Sequence, residues 1–182
     1  MSARAYLRAI TRDAHDRVDA GFSAFDLTSI EGYADFLVAQ AAAFLPVEAA
    51  LDRAGAADVL PDWPQRRRSG ALKSDLAALG RSVPDPVVPP VYANAASVWG
   101  GLYVLEGSRL GGAMLNRVAG PGFPRSFLAP SAEKGHWRQF VAAVERNLYE
   151  RVLLERAGLS AIHTFACFEM SVAKAKRTNE LL

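Results

Sequence analysis

One cysteine, Cys167, stands in a chain of 182 residues. A disulfide framework within the chain is excluded, and such usage fits a reducing compartment. Charge of one sign is not in excess either. Twenty-one lysines and arginines against 19 acids leave a net charge of +2, so no general affinity for nucleic acid is implied. No stretch alternates apolar and polar residues between hairpin turns, which argues against a sheet. The N-terminus, MSARAYLRAITRDAH, is charged throughout and lacks the apolar core of a secretory signal. The longest charge-free run, Pro86 to Leu105, opens with Pro86, Pro89 and Pro90. It leaves about 15 residues for a helix, short of the roughly 20 that span a bilayer. A cytoplasmic protein with no membrane partner is expected.

What is present points to helices. Apolar residues make up 51% of the chain and charged ones 22%, as in ordinary globular proteins. The length suits one domain over residues 1–182. Ser2 is placed to cap a first helix over 3–20, with Leu7, Ile10, Ala14 and Val18 as its apolar stripe and Gly21 as its end. Thr28 and Glu31 have capping-box spacing for a second helix reaching about Arg53. Pro46 inside it predicts a kink or break. The run RRRS, Arg66 to Ser69, reads as the solvated end of a short helix starting near Pro64. SGALKSDLAALG is a further helical piece with Gly80 as its stop, and SVPDPVVPPVY an extended connection that packs across the surface. A glycine-containing helix follows over 92–119. Ser131 and Glu133 mark the start of an amphipathic helix to Arg156 with Phe140, Val144, Leu148 and Val152 on one side. Gly158 should interrupt before a last helix over 160–176.

Three histidines are candidates for chemistry. His136 reads as a packed or surface residue. His163 and Cys167 share a helix face, but two ligands without a carboxylate make a poor metal site, and core packing is the better reading. His15 has better neighbours. At about 100° per residue, Arg8, Thr11, Asp19 and Phe22 lie within about 40° of it. It sits where the apolar stripe meets the polar face. It is either a metal ligand with Asp19 as acceptor behind it, or an edge histidine capped by Asp19.

The segment EGSRLGGAML, residues 106–115, places Gly107, Gly111 and Gly112 in a helix that already holds Gly100 and Gly101. Each glycine weakens a helix by roughly 1 kcal/mol relative to alanine. On a helical wheel the five, with Ser97 and Ser108, fill a sector of about 140°. Such a face lets something approach the backbone closely. Either another helix or a broad planar ligand would suit it, and the wheel does not choose.

These residues together resemble the heme oxygenase family. LRAITRDAHDRVD, residues 7–19, is similar to the family's first-helix motif, and YVLEGSRLGG, residues 103–112, to its glycine-rich distal helix. The wording resembles most the bacterial type associated with bacteriophytochromes. EGYADFLVAQAAAFLPVEAAL, residues 31–51, also matches in pattern. The resemblance covers roughly the first 118 residues well and the rest loosely. It implies an all-α, single-domain helical bundle with heme between the first, proximal helix and a kinked, glycine-rich distal helix. His15 would be the proximal iron ligand, Asp19 an acid one turn on, and Arg8 a partner of a heme propionate. Thr11 would lie on the same heme-facing side, and Tyr103 near the propionate edge. Gly107, Gly111 and Gly112 match the distal glycines, which leave room for oxygen. Many relatives carry an aspartate directly after the first of these glycines, where it organises distal water. Here Ser108 stands in that place, as a non-acidic residue does in bacteriophytochrome-associated members. The last helix often supplies basic groups to the propionates, but Lys174, Lys176 and Arg177 stand too far along.

The resemblance implies that heme, both cofactor and substrate, is cleaved with O2 to biliverdin, CO and ferrous iron. No Gly-x-Gly-x-x-Gly follows a strand pattern, so no NAD(P)- or flavin-binding domain is visible. Electrons would come from an external ferredoxin or flavoprotein reductase, and a bilin-binding photoreceptor is a candidate acceptor of the product. The alternatives are a non-catalytic heme carrier or sensor of the same fold, kept open by Ser108, and a helical relative that binds no heme.

Overall fold

Ser2 caps the first helix as its position predicts: its hydroxyl accepts from the Ala5 amide at 3.2 Å, and α1 runs Ala3–Phe22. The structure, a computed structural model, describes residues 1–129 and 135–179. Among these it is all-helical: α2 (Ile30–Arg53), α3 (Ala56–Val59), α4 (Trp63–Arg66), α5 (Ser69–Ala78), α6 (Ala95–Val118), α7 (His136–Asn147) and α8 (Arg151–Asn179). The expected helix start at Ser131 and Glu133 lies outside the described residues.

The long helix α8 packs against α1, α2 and α6. It runs beside α1 in the same direction, with Gly158 under Ile10 and Val172 under Gly21. Gly158 therefore does not interrupt a helix. A Cβ there would stand 3.2 Å from Ile10 Cγ2, so the glycine sets how closely the two helices cross. Gly21 likewise lies within α1, which continues to Phe22. The break comes earlier, at residues 148–150, between α7 and α8. Leu148 is buried beyond the end of α7, while Val152, expected on the same apolar side, is exposed on α8.

Pro46 does not break α2. Proline removes the amide that would bond the carbonyl four residues back. That carbonyl, of Ala42, instead accepts from the Val87 amide at 2.8 Å. The extended connection thus does locally what the helix itself cannot. α2 is long and apolar enough to cross a bilayer, but Tyr33, Phe36, Leu37, Phe44, Val47 and Leu51 are buried in the protein core. Its cap is Ser29, whose hydroxyl accepts from Gly32, and not Thr28, which turns to Asp26 at 2.6 Å. Gly80 ends the α5 turn at a φ of 66°, and Asn94 with Ser97 forms a capping box that opens α6.

The loop after α6 is tied to the core from three sides. Tyr33 donates to the Pro124 carbonyl at 2.7 Å, and Asp75 accepts from the amides of Ser126 and Phe127 at 3.1 and 2.8 Å. Arg125 donates to the carbonyls of Asn116 and Gly120 at 3.1 and 2.6 Å, filling acceptors left over at the end of α6. The loop can then seat Phe127 and Leu128 behind the glycine-rich turns.

Candidate functional site

On α1, Leu7, Thr11 and Ala14 face the core, while Ile10 is one-third exposed and so less central to the stripe than its spacing predicts. His15 stands at the edge, 56% exposed, with its ring edge-on to Phe165 at 5.8 Å. Nδ1 lies 3.2 Å from Asp19 Oδ2. A carboxylate there favours the tautomer with its proton on Nδ1, which leaves the Nε2 lone pair for a metal. Among the described residues no group of three or more His, Cys, Asp or Glu is placed to hold a metal ion. A single imidazole would be enough for an iron whose other donors come from a porphyrin. His163 and Cys167 do not converge. His163 is exposed; Cys167 is buried, donates to the Val88 and His163 carbonyls, and has its thiol pushed by burial up to about 11.

The glycines of α6 divide into two kinds. A Cβ on Gly100 would stand 2.9 Å from Ser160 Cβ and nearer still to the Ala157 carbonyl, and one on Gly101 would stand 2.6 Å from the Tyr92 ring. These two let α8 and the connection pack closely. At Gly107 and Gly111 a Cβ would meet nothing within 4 Å. The two sit on the same side of the wheel as Gly100, but there α6 faces open space. Gly112 lies on the adjacent side, where a Cβ would be 3.7 Å from Leu128. Leu110 and Met114, next to the open face, are 49% and 70% exposed. An open backbone with an apolar border would suit a flat, apolar molecule.

This difference gives a test. Gly100→Ala should lower stability by about 1–3 kcal/mol through overpacking. Gly111→Ala should raise it by up to about 1 kcal/mol, because alanine is the better helix former and has room. Urea midpoints of the heme-free proteins at a common m-value measure both. A stability loss at Gly111 as large as that at Gly100 would contradict the division.

α1 and α6 meet at Tyr103. Its phenol lies near the Thr11 side chain, whose hydroxyl donates to the Leu7 carbonyl at 2.7 Å. Burial raises the Tyr103 pKa, opposed by the neighbouring Thr11 hydroxyl and the charges of Arg4 and Arg8. Arg4 also lies over the Trp137 ring at 5.9 Å. Two cations and a phenol thus share one edge of the space between the helices. Lys174 is not there: its ammonium reaches the Asp85 carbonyl at 2.9 Å.

Ser108 is placed differently from the glycines beside it. Its hydroxyl donates to the Leu105 carbonyl at 2.7 Å and accepts from Arg68 at 2.6 Å. Arg68 belongs to RRRS, and the solvated reading of that run is wrong: Arg66 is 2% exposed and Arg68 7%. Arg66 donates to Glu106 and to Asp62, each at 2.6 Å, and Arg109 to Glu106 at 3.1 Å and to the Arg66 carbonyl. Glu48 accepts from the amides of Arg68 and Ser69 at 2.7 and 3.0 Å, which caps α5 from a neighbouring helix. The only local signal of this cluster was Glu106, an acid in the most apolar stretch of the chain.

No family model matches the chain. A heme oxygenase of Xanthomonas campestris pv. campestris is 36% identical over 121 residues, 63% of this chain and 73% of that protein. The heme oxygenase PigA of Pseudomonas aeruginosa is 29% identical over 172 residues, 87% of each chain. The NO- and CO-bound heme oxygenase of Neisseria meningitidis superposes with a TM-score of 0.83 at 26% identity, over 96% of this chain and 92% of the other. The fold is shared too by the heme oxygenase of Leptospira interrogans, at a TM-score of 0.74 and 18% identity over 96% of this chain and all of that one. With enzymes as its relatives, the carrier and sensor readings are not favoured. A histidine-bearing helix, a glycine-opened helix and these likenesses agree: the chain belongs to the heme oxygenase family.

Proposed function

We propose that this heme oxygenase holds heme between the His15 face of α1 and the Gly107–Gly111 face of α6. The observation that carries the reading is the pair of glycines with open space before them, in a helix whose earlier glycines are tightly packed. When bound, heme supplies an iron that activates oxygen and the porphyrin that is oxidised. His15 would bind the iron through Nε2, oriented by Asp19 behind Nδ1. Gly107 and Gly111 would keep the other side free of side chains, so that small molecules reach the iron and backbone groups and water supply hydrogen bonds. Gly112, against Leu128, would fix how far the distal helix stands from the ligand. Arg8, with Arg4, would attract the propionates, while Thr11 and Tyr103 would line that edge. Orientation of the propionates in turn sets which porphyrin edge faces the distal helix.

The products under this reading are biliverdin, CO and ferrous iron. The reductant is an external ferredoxin or flavoprotein reductase, and the setting is cytoplasmic. The wording of the distal motif favours a bilin-binding photoreceptor as acceptor of the product. Hemin added to the purified protein should produce a shifted Soret band. Reductant in air should then remove it while biliverdin absorption rises. An unshifted band, or one that persists under reductant and oxygen, would overturn the reading.

A further inference from the structure

Arg68 stands behind the turn of α6 that carries Gly107. Its guanidinium lies over the rings of Phe44 and Phe127, at 4.7 and 5.0 Å. It donates to the Leu105 carbonyl at 2.7 Å and to Ser108 Oγ at 2.6 Å. Both acceptors are neutral. A buried cation normally finds a carboxylate; this one is held by two aromatic faces and two oxygens of the distal helix. Burial and the charge of Arg109 lower its pKa to about 9, opposed by Glu106 and Glu48, so it stays charged at neutral pH.

Ser108 is constrained by the same contacts. Its one proton is committed to the Leu105 carbonyl and one lone pair to Arg68. It has an acceptor left and no proton to give. Ser108 is therefore suited to anchor a water and not to act as an acid.

On the reading that the Gly107–Gly111 face is the distal one, we propose that Arg68 is a positioning residue. It fixes Ser108 and the 105–108 turn, and places a positive charge beside the distal face that favours an anionic over a neutral ligand at the iron. Arg109 adds to this field, and Glu106 and Glu48 reduce it. Ser108 stands where many relatives have an aspartate, and the cation bonded to it would act through charge and an anchored water.

The test is a pH titration of the ferric heme complex followed by absorbance, reading the midpoint between its acid and alkaline spectra. A nearby cation favours loss of a proton from the iron's distal ligand. Removing that cation in Arg68→Met or Arg68→Gln should raise the midpoint by about one unit. Circular dichroism melting confirms that each variant is folded. If the methionine variant does not fold, the glutamine variant, which retains a donor for Ser108, carries the comparison. Coincident midpoints in wild type and the glutamine variant would overturn the proposal while leaving the heme site intact. A wild-type complex with no such transition would overturn the site reading and the proposal with it.

Discussion

His15→Ala should abolish the normal iron ligation of the ferric complex and lower turnover by at least about a hundredfold. The fold should tolerate it. The side chain is 56% exposed and joins the core only through the edge of Phe165, so the heme-free protein should keep its stability to within about 0.5 kcal/mol. Ligation should change without unfolding, which separates a ligand from a packing residue. Asp19→Ala is the graded comparison: ligation should persist with turnover reduced about 10–100-fold, as for other groups that orient a metal-bound imidazole. Absorbance and electron paramagnetic resonance of the hemin complexes read the first effect, and biliverdin formation the second. An unchanged spectrum in His15→Ala would refute the ligand assignment.

Glu106→Gln should be the most destabilising of the changes considered, by about 3–5 kcal/mol. Glu106 is 2% exposed and accepts from Arg66 at 2.6 Å and Arg109 at 3.1 Å. With Arg68 close by, the three cations are balanced by Glu106, Glu48 and Asp62. Glutamine keeps the shape but leaves one buried positive charge without its counterpart, and its amide presents a donor where an acceptor stood. Arg66 is already under-satisfied, since its Nε finds no partner. Urea unfolding of the heme-free protein at unchanged m-value is the measurement. A loss below about 1 kcal/mol would show the cluster to be solvated, as a surface pair is.

The local periodicities of the chain were reliable guides to single helices. His15 and Asp19, one turn apart, do pair, and the wheel correctly put Gly100, Gly107 and Gly111 on one side of α6. A wheel has an angle but no account of what lies opposite each turn. That Gly100 meets Ala157 while Gly107 and Gly111 meet open space depends on α8, some 50 residues on in sequence. The misreadings have the same origin. Gly158 and Gly21 look like stops by propensity, yet each is a crossing point where α1 meets α8. Pro46 predicts a kink or break, and α2 is not broken there, because Val87 supplies the missing donor. RRRS looks solvated because its counter-charge, Glu106, is 40 residues from Arg66. In each case tertiary partners overrode a sound local preference.

The central claim is that heme lies between His15 and the open glycines of α6. A crystal structure of the ferric heme complex tests it most directly. The account predicts iron bonded to His15 Nε2, Asp19 on Nδ1, and the opposite porphyrin face against the backbone of Gly107 and Gly111. Iron bonded to His163 or His136, or a porphyrin seated away from that face of α6, would contradict it.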